Sequence, residues 1–356
     1  AGMVARLGDD DPFALARATV LLPTRRAVRS LREAFARVSG GRALLLPRMM
    51  PLGDIDEDEL IVINAPDTDA AFQPVIGGLR RQLLLARLVL SFGGARWSEA
   101  DPAQAAELAA ELARLLDSLE TERVEFSALE SLSPDDENLA RHWGDVLTFL
   151  RIITEHWPGH LKEEGAIGPA AHRDALLAAR ARAWTAAPPS GWVVAAGSTG
   201  SIPATADLLA CVAGLPQGCV VLPGLDLDTP AATWAELPET HAQFGLARLL
   251  EHLGADRAAV RDWHEDWPSP TAPAHAAPRA RVIGAALSGD GRTPVDADMT
   301  DACAGLTWVE CPAPADEAAV IALALRGALE KPEATAALVT PDRDLARRVA
   351  ARLKRW

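Results

Sequence analysis

The chain of 356 residues is 49% hydrophobic and carries a formal net charge of -14. It has material for a sizeable core, is too long for one compact domain of ordinary size, and reads as two or three domains. The acidic balance excludes a protein that coats nucleic acid with its whole surface, because phosphate binding is driven by lysine and arginine.

No apolar run long enough to span a bilayer and no signal peptide is visible, so a cytoplasmic protein that does not engage a membrane is the expectation. The charge is uneven. Arg17 to Arg48 holds eight arginines and one acid, Glu33, while Pro341 to Trp356 holds six basic residues against Asp342 and Asp344. Two basic segments in an acidic chain suggest a localised anion site; arginines on a solvated helix face are the blander alternative. Cys211, Cys219, Cys303 and Cys311 form no Cys-x-x-Cys and read as buried structural thiols rather than metal ligands.

In chain order, Ala18-Thr-Val-Leu-Leu22 reads as a buried strand, and Thr24 opens a helix whose Val28, Leu31, Phe35 and Val38 recur at helical spacing. Arg25, Arg26, Arg29 and Arg32 fall elsewhere, and Gly40-Gly41 stops the helix. The Thr24 hydroxyl and the first free amides would greet an anion at the carboxyl edge of a sheet. Ala43 to Leu46 reads as a second strand, the acidic run from Asp54 as a solvated loop, and Ile61 to Asn64 as a weak strand.

From Pro74 to Trp184 the pattern is helical, with Ala105, Leu108, Leu112, Leu115 and Leu119 stepping by three and four behind Asp101-Pro102. Leu139, Trp143, Val146, Leu147 and Leu150 repeat the pattern, and Arg80 to Leu90 and Ala171 to Trp184 add two helices. Trp192 to Ala196 and Cys219 to Leu222 are apolar runs of strand length around a helical stretch. This β-α-β unit is the centre of the chain. His241 to Leu253 reads as a helix ending at Gly254, and Trp267 to Pro278 as a flexible Pro-rich connection. Leu306 to Glu310, a helix from Asp316 to Leu329, the strand Ala336 to Thr340 and a helix from Asp342 resemble the start of a second parallel unit. That unit has too few strands for a closed sheet, so the sequence reads as part of something longer.

Nothing matches the Gly-x-x-x-x-Gly-Lys-[Ser/Thr] phosphate loop, and the run ending Val193-Val-Ala-Ala-Gly197 offers no carboxylate for magnesium. Ala196-Gly-Ser-Thr-Gly200 approximates a nucleophile elbow on Ser198, and Asp226 or Asp228 with His241, His252 or His275 would complete the hydrolase order. An elbow needs its helix directly after the serine; here Ser201 reads as the N-cap with Pro203 in the first turn. The other readings of Gly197 to Ser201 are a small turn passing closely over a neighbour, or a contact to a backbone phosphate. The ten tryptophans read mostly as packing residues.

Several stretches resemble the AddB subunit of AddAB-type helicase-nucleases in its alphaproteobacterial form. They are Ala18-Thr-Val-Leu-Leu-Pro-Thr-Arg-Arg-Ala-Val-Arg, Leu45-Leu-Pro-Arg-Met-Met-Pro-Leu-Gly-Asp, Ala196-Gly-Ser-Thr-Gly-Ser-Ile-Pro, Val220-Val-Leu-Pro-Gly-Leu-Asp and Ala336-Ala-Leu-Val-Thr-Pro-Asp-Arg-Asp. The resemblance implies an α/β fold: a RecA-like, superfamily-one helicase-like domain (1–73 and 186–262) with an all-α insertion (74–185). A Pro-rich connection (263–300) and the start of a second RecA-like domain (301–356) would follow. It further implies a module of double-strand-break repair that binds and scans DNA without ATPase or nuclease activity of its own, needs no cofactor or metal, and acts with an ATP-hydrolysing AddA partner. Thr24, Arg25, Arg26, Ser198, Thr199, Ser201 and Arg343 would contact DNA. The alternatives are a serine hydrolase on Ser198 and a scaffold that binds only protein.

Overall fold

The computed structural model describes residues 2–3, 13–52, 73–92, 101–125, 127–130, 137–261, 263, 276–287 and 299–355. The acidic run from Asp54, Ile61 to Asn64 and most of the Pro-rich connection lie outside the described residues.

Four parallel strands form the sheet: β1 (Thr19–Leu22), β2 (Arg48–Pro51), β3 (Val193–Ala196) and β4 (Gly218–Val221), in the order β2-β1-β3-β4. Val20 pairs with Met49 and Val194, and Ala196 pairs with Val221, so the expected central β-α-β unit is present with its two strands as neighbours. Side chains alternate across a strand. The row Met50, Leu21, Ala195 and Val220 enters one core, and Met49 and Val20 enter another.

Helix α1 (Arg25–Val38) covers the second of these faces with Val28 and Phe35. Between α1 and the next helix the sequence misled. The run 43–46 is not a strand; Leu44, Leu45 and Leu46 are exposed, and β2 lies further on, where Met49 and Met50 fill both cores. Unbranched, adaptable methionines serve as strand residues here, and Pro51 is tolerated because β2 is an outer strand of the described sheet.

The helical stretch contains α2 (Gly78–Phe92), α3 (Pro102–Glu122), α4 (Glu137–Glu164) and α5 (Pro169–Ala186). Leu85, Leu88, Val89, Ala105, Ala109, Leu112 and Trp157 make a separate apolar cluster among the first three. Its charged seam is Arg81, almost fully buried, whose Nη1 donates to Asp117 Oδ2 at 2.9 Å and whose Nη2 donates to the Ala113 carbonyl at 3.2 Å. Helix α5 instead lays Leu177 and Trp184 into the sheet core, alongside α6 (Pro203–Gly214) and α7 (Phe244–Leu253). The N-cap of α6 is Ile202 without a side-chain bond, so the expected Ser201 cap is corrected; Pro203 occupies the first turn and presets its φ. Gly254, at φ 62°, ends α7 as its pattern required.

One polar knot ties these helices together. Arg123, left-handed at φ 53° just past α3, reaches Asp174 of α5 at 2.8 Å and Asp207 of α6 at 2.7 Å. The second oxygen of Asp207 lies 3.0 Å from His252 Nε2 on α7. Hydrogen bonds to Asp174, then Asp207, push the Arg123 guanidinium up from its ordinary value.

The chain divides into two compact units, residues 1–272 with 283–295, and 273–282 with 296–356. Helix α8 (Ala276–Leu287) lies within the stretch 263–300 expected as a Pro-rich connection. In the second unit α9 (Pro314–Ala328) and α10 (Arg343–Leu353) pack through Ala318, Ala322, Leu345 and Val349. Asp342 caps α10 by accepting from the Asp344 and Leu345 amides. The strands expected at 306–310 and 336–340 are not formed: neither stretch joins a ladder among the described residues, and Trp308 and Val339 are 87% and 93% exposed. A strand exists only by pairing, and apolar β-branched composition alone does not supply a partner.

Among the described residues no helix is long and apolar enough to cross a membrane. The four cysteines are free, and Cys303 is exposed, against the expectation of burial.

Candidate functional site

In the strand order β2-β1-β3-β4, the crossover through α1 runs outward on one side of β1, and that through α6 runs outward on the other side of β3. These two helices pack on opposite faces of the sheet. The reversal point therefore lies between β1 and β3, where open parallel sheets hold ligands just outside the carboxyl ends of the strands. The loops leaving β1 and β3 are Pro23-Thr24 and Gly197 to Ile202. They run close together: a methyl group added to Gly197 would sit 3.7 Å from Pro23 Cδ.

Thr24 is extended, and its Oγ1 accepts from the Ala27 amide at 3.1 Å, which fixes the start of α1. Arg25 and Arg26 occupy the first turn, both exposed, with no acid in that turn. The N-termini of α1 and α6 both lie at this edge, and their dipoles make it favourable to negative charge. Ser198 Oγ accepts from the Gly200 amide at 3.2 Å, a local turn bond that holds the loop in shape. Gly200 has φ +62°, and a Cβ there would lie 2.6 Å from Leu249 Cδ1 of α7. A Cβ on Gly245 would sit 3.8 Å from Thr199 Cβ. Gly197 to Ser201 thus passes tightly over α7, while the Thr199 and Ser201 residues remain exposed.

The loop after β4 is built by long-range contacts that periodicity did not reveal. The Asp226 carboxylate accepts from the Asp228 amide at 2.8 Å, the Thr229 amide at 3.1 Å and Thr229 Oγ1 at 2.7 Å. Gln243 accepts from the Asp226 amide and donates to the Gly224 carbonyl. Arg257 donates to the Asp226 and Thr229 carbonyls and lies 4.4 Å from the Trp234 ring centroid. Partial burial, the largest single influence, pushes the Asp226 carboxyl up; the bonds from Thr229 and Asp228, with Arg257 nearby, outweigh it and hold it below the usual carboxylate range. The Asp-x-x-Thr spacing is the local signal that marks such a turn; Gln243 and Arg257 had none.

Six of the seven expected contact residues, Thr24, Arg25, Arg26, Ser198, Thr199 and Ser201, lie on the two loops of the reversal point or in the helix turn that follows them. Arg343 belongs to the second compact unit, exposed on the first turn of α10. The hydrolase constellation is not assembled among the described residues. Among the described residues no hydrogen bond joins Ser198 to a histidine, His241 Nδ1 accepts from the Gln243 amide, and His252 sits against Asp207. His275 lies outside the described residues. Among those described, no group of three or more His, Cys, Asp or Glu side chains is arranged to hold a metal ion.

The architecture defines a parallel α/β protein with a strand-order reversal between β1 and β3. No family model matches the chain, and no curated protein matches it in sequence.

Proposed function

We propose that this chain is the helicase-like, DNA-binding part of a double-strand-break repair subunit similar to AddB. In this reading the sheet is the core of a first RecA-like domain, the second unit belongs to another, and a separate AddA-like partner hydrolyses ATP. The observation that carries the proposal is the meeting of the Pro23-Thr24 and Gly197 to Ser201 loops at the reversal point, between two helix N-termini and beside Arg25 and Arg26. That edge offers amides, hydroxyls and guanidinium groups to a phosphate. Neither of the two loops carries an acid, and Asp226, on the loop after β4, is occupied within its own turn. Such an edge suits holding a sugar-phosphate backbone and supplies no carboxylate from its two loops to position magnesium or water.

The test is a titration of the purified chain with a labelled single-stranded oligonucleotide, in wild type and in the Arg25→Ala/Arg26→Ala variant, at several salt concentrations. Weaker binding with a shallower salt dependence is expected, by about 0.7 in logarithmic slope for each phosphate that is no longer neutralised. Unchanged affinity and slope would remove the edge from the proposal, and ATP turnover by the chain alone would overturn its motor-silent character.

A further inference from the structure

Helix α1 carries more positive charge than the sheet edge needs. With about 3.6 residues per turn, Arg25, Arg26, Arg29, Arg32 and Arg37 spread over an arc of about 140° centred away from the buried Val28 and Phe35, with Arg32, four residues from Val28 and three from Phe35, at the border of the buried stripe. All five are exposed, and Glu33 is the single acid on that side. Among the described residues no carboxylate pairs with Arg26, Arg29, Arg32 or Arg37, although the chain holds 49 acids against 35 lysines and arginines. Like charges three and four residues apart destabilise a helix, and Arg29 has such neighbours in Arg25, Arg26 and Arg32, a cost that an anionic partner removes; Glu33, four residues from both Arg29 and Arg37, offsets part of it.

We infer that the outer face of α1, through Arg29, Arg32 and Arg37, is a docking track for the phosphate backbone of duplex DNA, continuing from the reversal-point edge. The inference rests on the proposed DNA-binding reading for the identity of the polyanion. Two observations select duplex over single strand. Phe35, the one aromatic residue of α1, is turned into the core, so the helix itself offers no ring for unpaired bases to stack on. The row extends about 18 Å from Arg25 to Arg37 at about 1.5 Å of rise per residue, and a duplex offers one phosphate per roughly 1.7 Å of its axis along such a length. Contacts of this kind position the duplex without reading its sequence.

The experiment uses the full chain with a labelled duplex and a labelled single strand, each titrated between about 50 and 200 mM salt, the range over which phosphate binding weakens steeply. It compares wild type, Arg29→Gln/Arg32→Gln/Arg37→Gln, the same three positions changed to lysine, and Arg25→Ala/Arg26→Ala. The glutamine triple should flatten the duplex slope by about 2.7 logarithmic units, close to 40-fold less weakening across that salt range, at about 0.9 per neutralised phosphate. The lysine triple should keep most of the slope, and single-strand binding should hardly change. A wild-type duplex slope in the glutamine triple overturns the track; if Arg25→Ala/Arg26→Ala still weakens binding, the edge survives it. Equal weakening on duplex and single strand overturns the duplex assignment. Failure of the wild-type chain to bind either DNA sinks track and edge together.

Discussion

Replacing Gly200 by alanine probes the close passage of the β3 loop over α7. At φ +62° an L-residue incurs the left-handed penalty of about 1–2 kcal/mol. The new Cβ would also meet Leu249 at 2.6 Å from Cδ1 and 3.2 Å from Cδ2, and Leu249 is 1% exposed inside the sheet core. Forcing a methyl into a packed interior costs about 1–3 kcal/mol. Gly224 supplies the control, because it has φ +60° but nothing within 4 Å of an added Cβ. Gly224→Ala should therefore show only the backbone part. Urea unfolding, followed by hydrogen exchange of the β3 amides so that the first compact unit is read by itself, should place Gly200→Ala about 1–3 kcal/mol below Gly224→Ala. Leu249→Ala should cost less in the Gly200→Ala background than alone, since the two changes share one space. Equal destabilisation by the two glycine variants, or strict additivity with Leu249→Ala, would refute the close approach.

Two carboxylates predict opposite responses to pH. Burial pushes the Glu120 carboxyl up, against a hydrogen bond from the Ala171 amide and the neighbouring Arg81, with Asp117 adding to the rise. A raised folded pKa means a contribution fully present below the unfolded value and lost as pH rises through the folded one. The Tm of Glu120→Gln relative to wild type should therefore improve from about pH 4, near the ordinary carboxylate value, to about pH 7. Asp226 is held low, so its contribution is present above the unfolded pKa and disappears as pH falls through the folded one. Asp226→Ala should cost about 1–3 kcal/mol near neutral pH through its missing hydrogen bonds, and thermal melts at about pH 3, below the ordinary aspartate value, should show that difference shrinking. A pH-independent difference in either variant would refute the corresponding assignment.

The central β-α-β unit was legible because parallel strands covered by helices are written as unbroken apolar runs, and the largely buried Val193 to Ala196 and the half-buried Cys219 to Val221 are such runs. Thr24 and Asp342 announced their helices by cap chemistry that acts within three residues. What failed depended on distant partners. Leu44 to Leu46 look more strand-like than Arg48 to Pro51, yet the second segment pairs with β1. The stretches 306–310 and 336–340 have strand composition without a described ladder. At the candidate edge, the positions of Thr24 and Ser198 followed from strand order. The use of Asp226 by Thr229, Gln243 and Arg257 spans up to 31 residues and left no periodic trace.

The Arg123 knot has a structural consequence. One guanidinium, two carboxylates and one imidazole join the ends or sides of α3, α5, α6 and α7, with α6 leaving directly from the β3 loop. Each link is partly exposed and weak alone, and it is their shared members, Arg123 and Asp207, that make the four helices respond together to the loss of a single side chain.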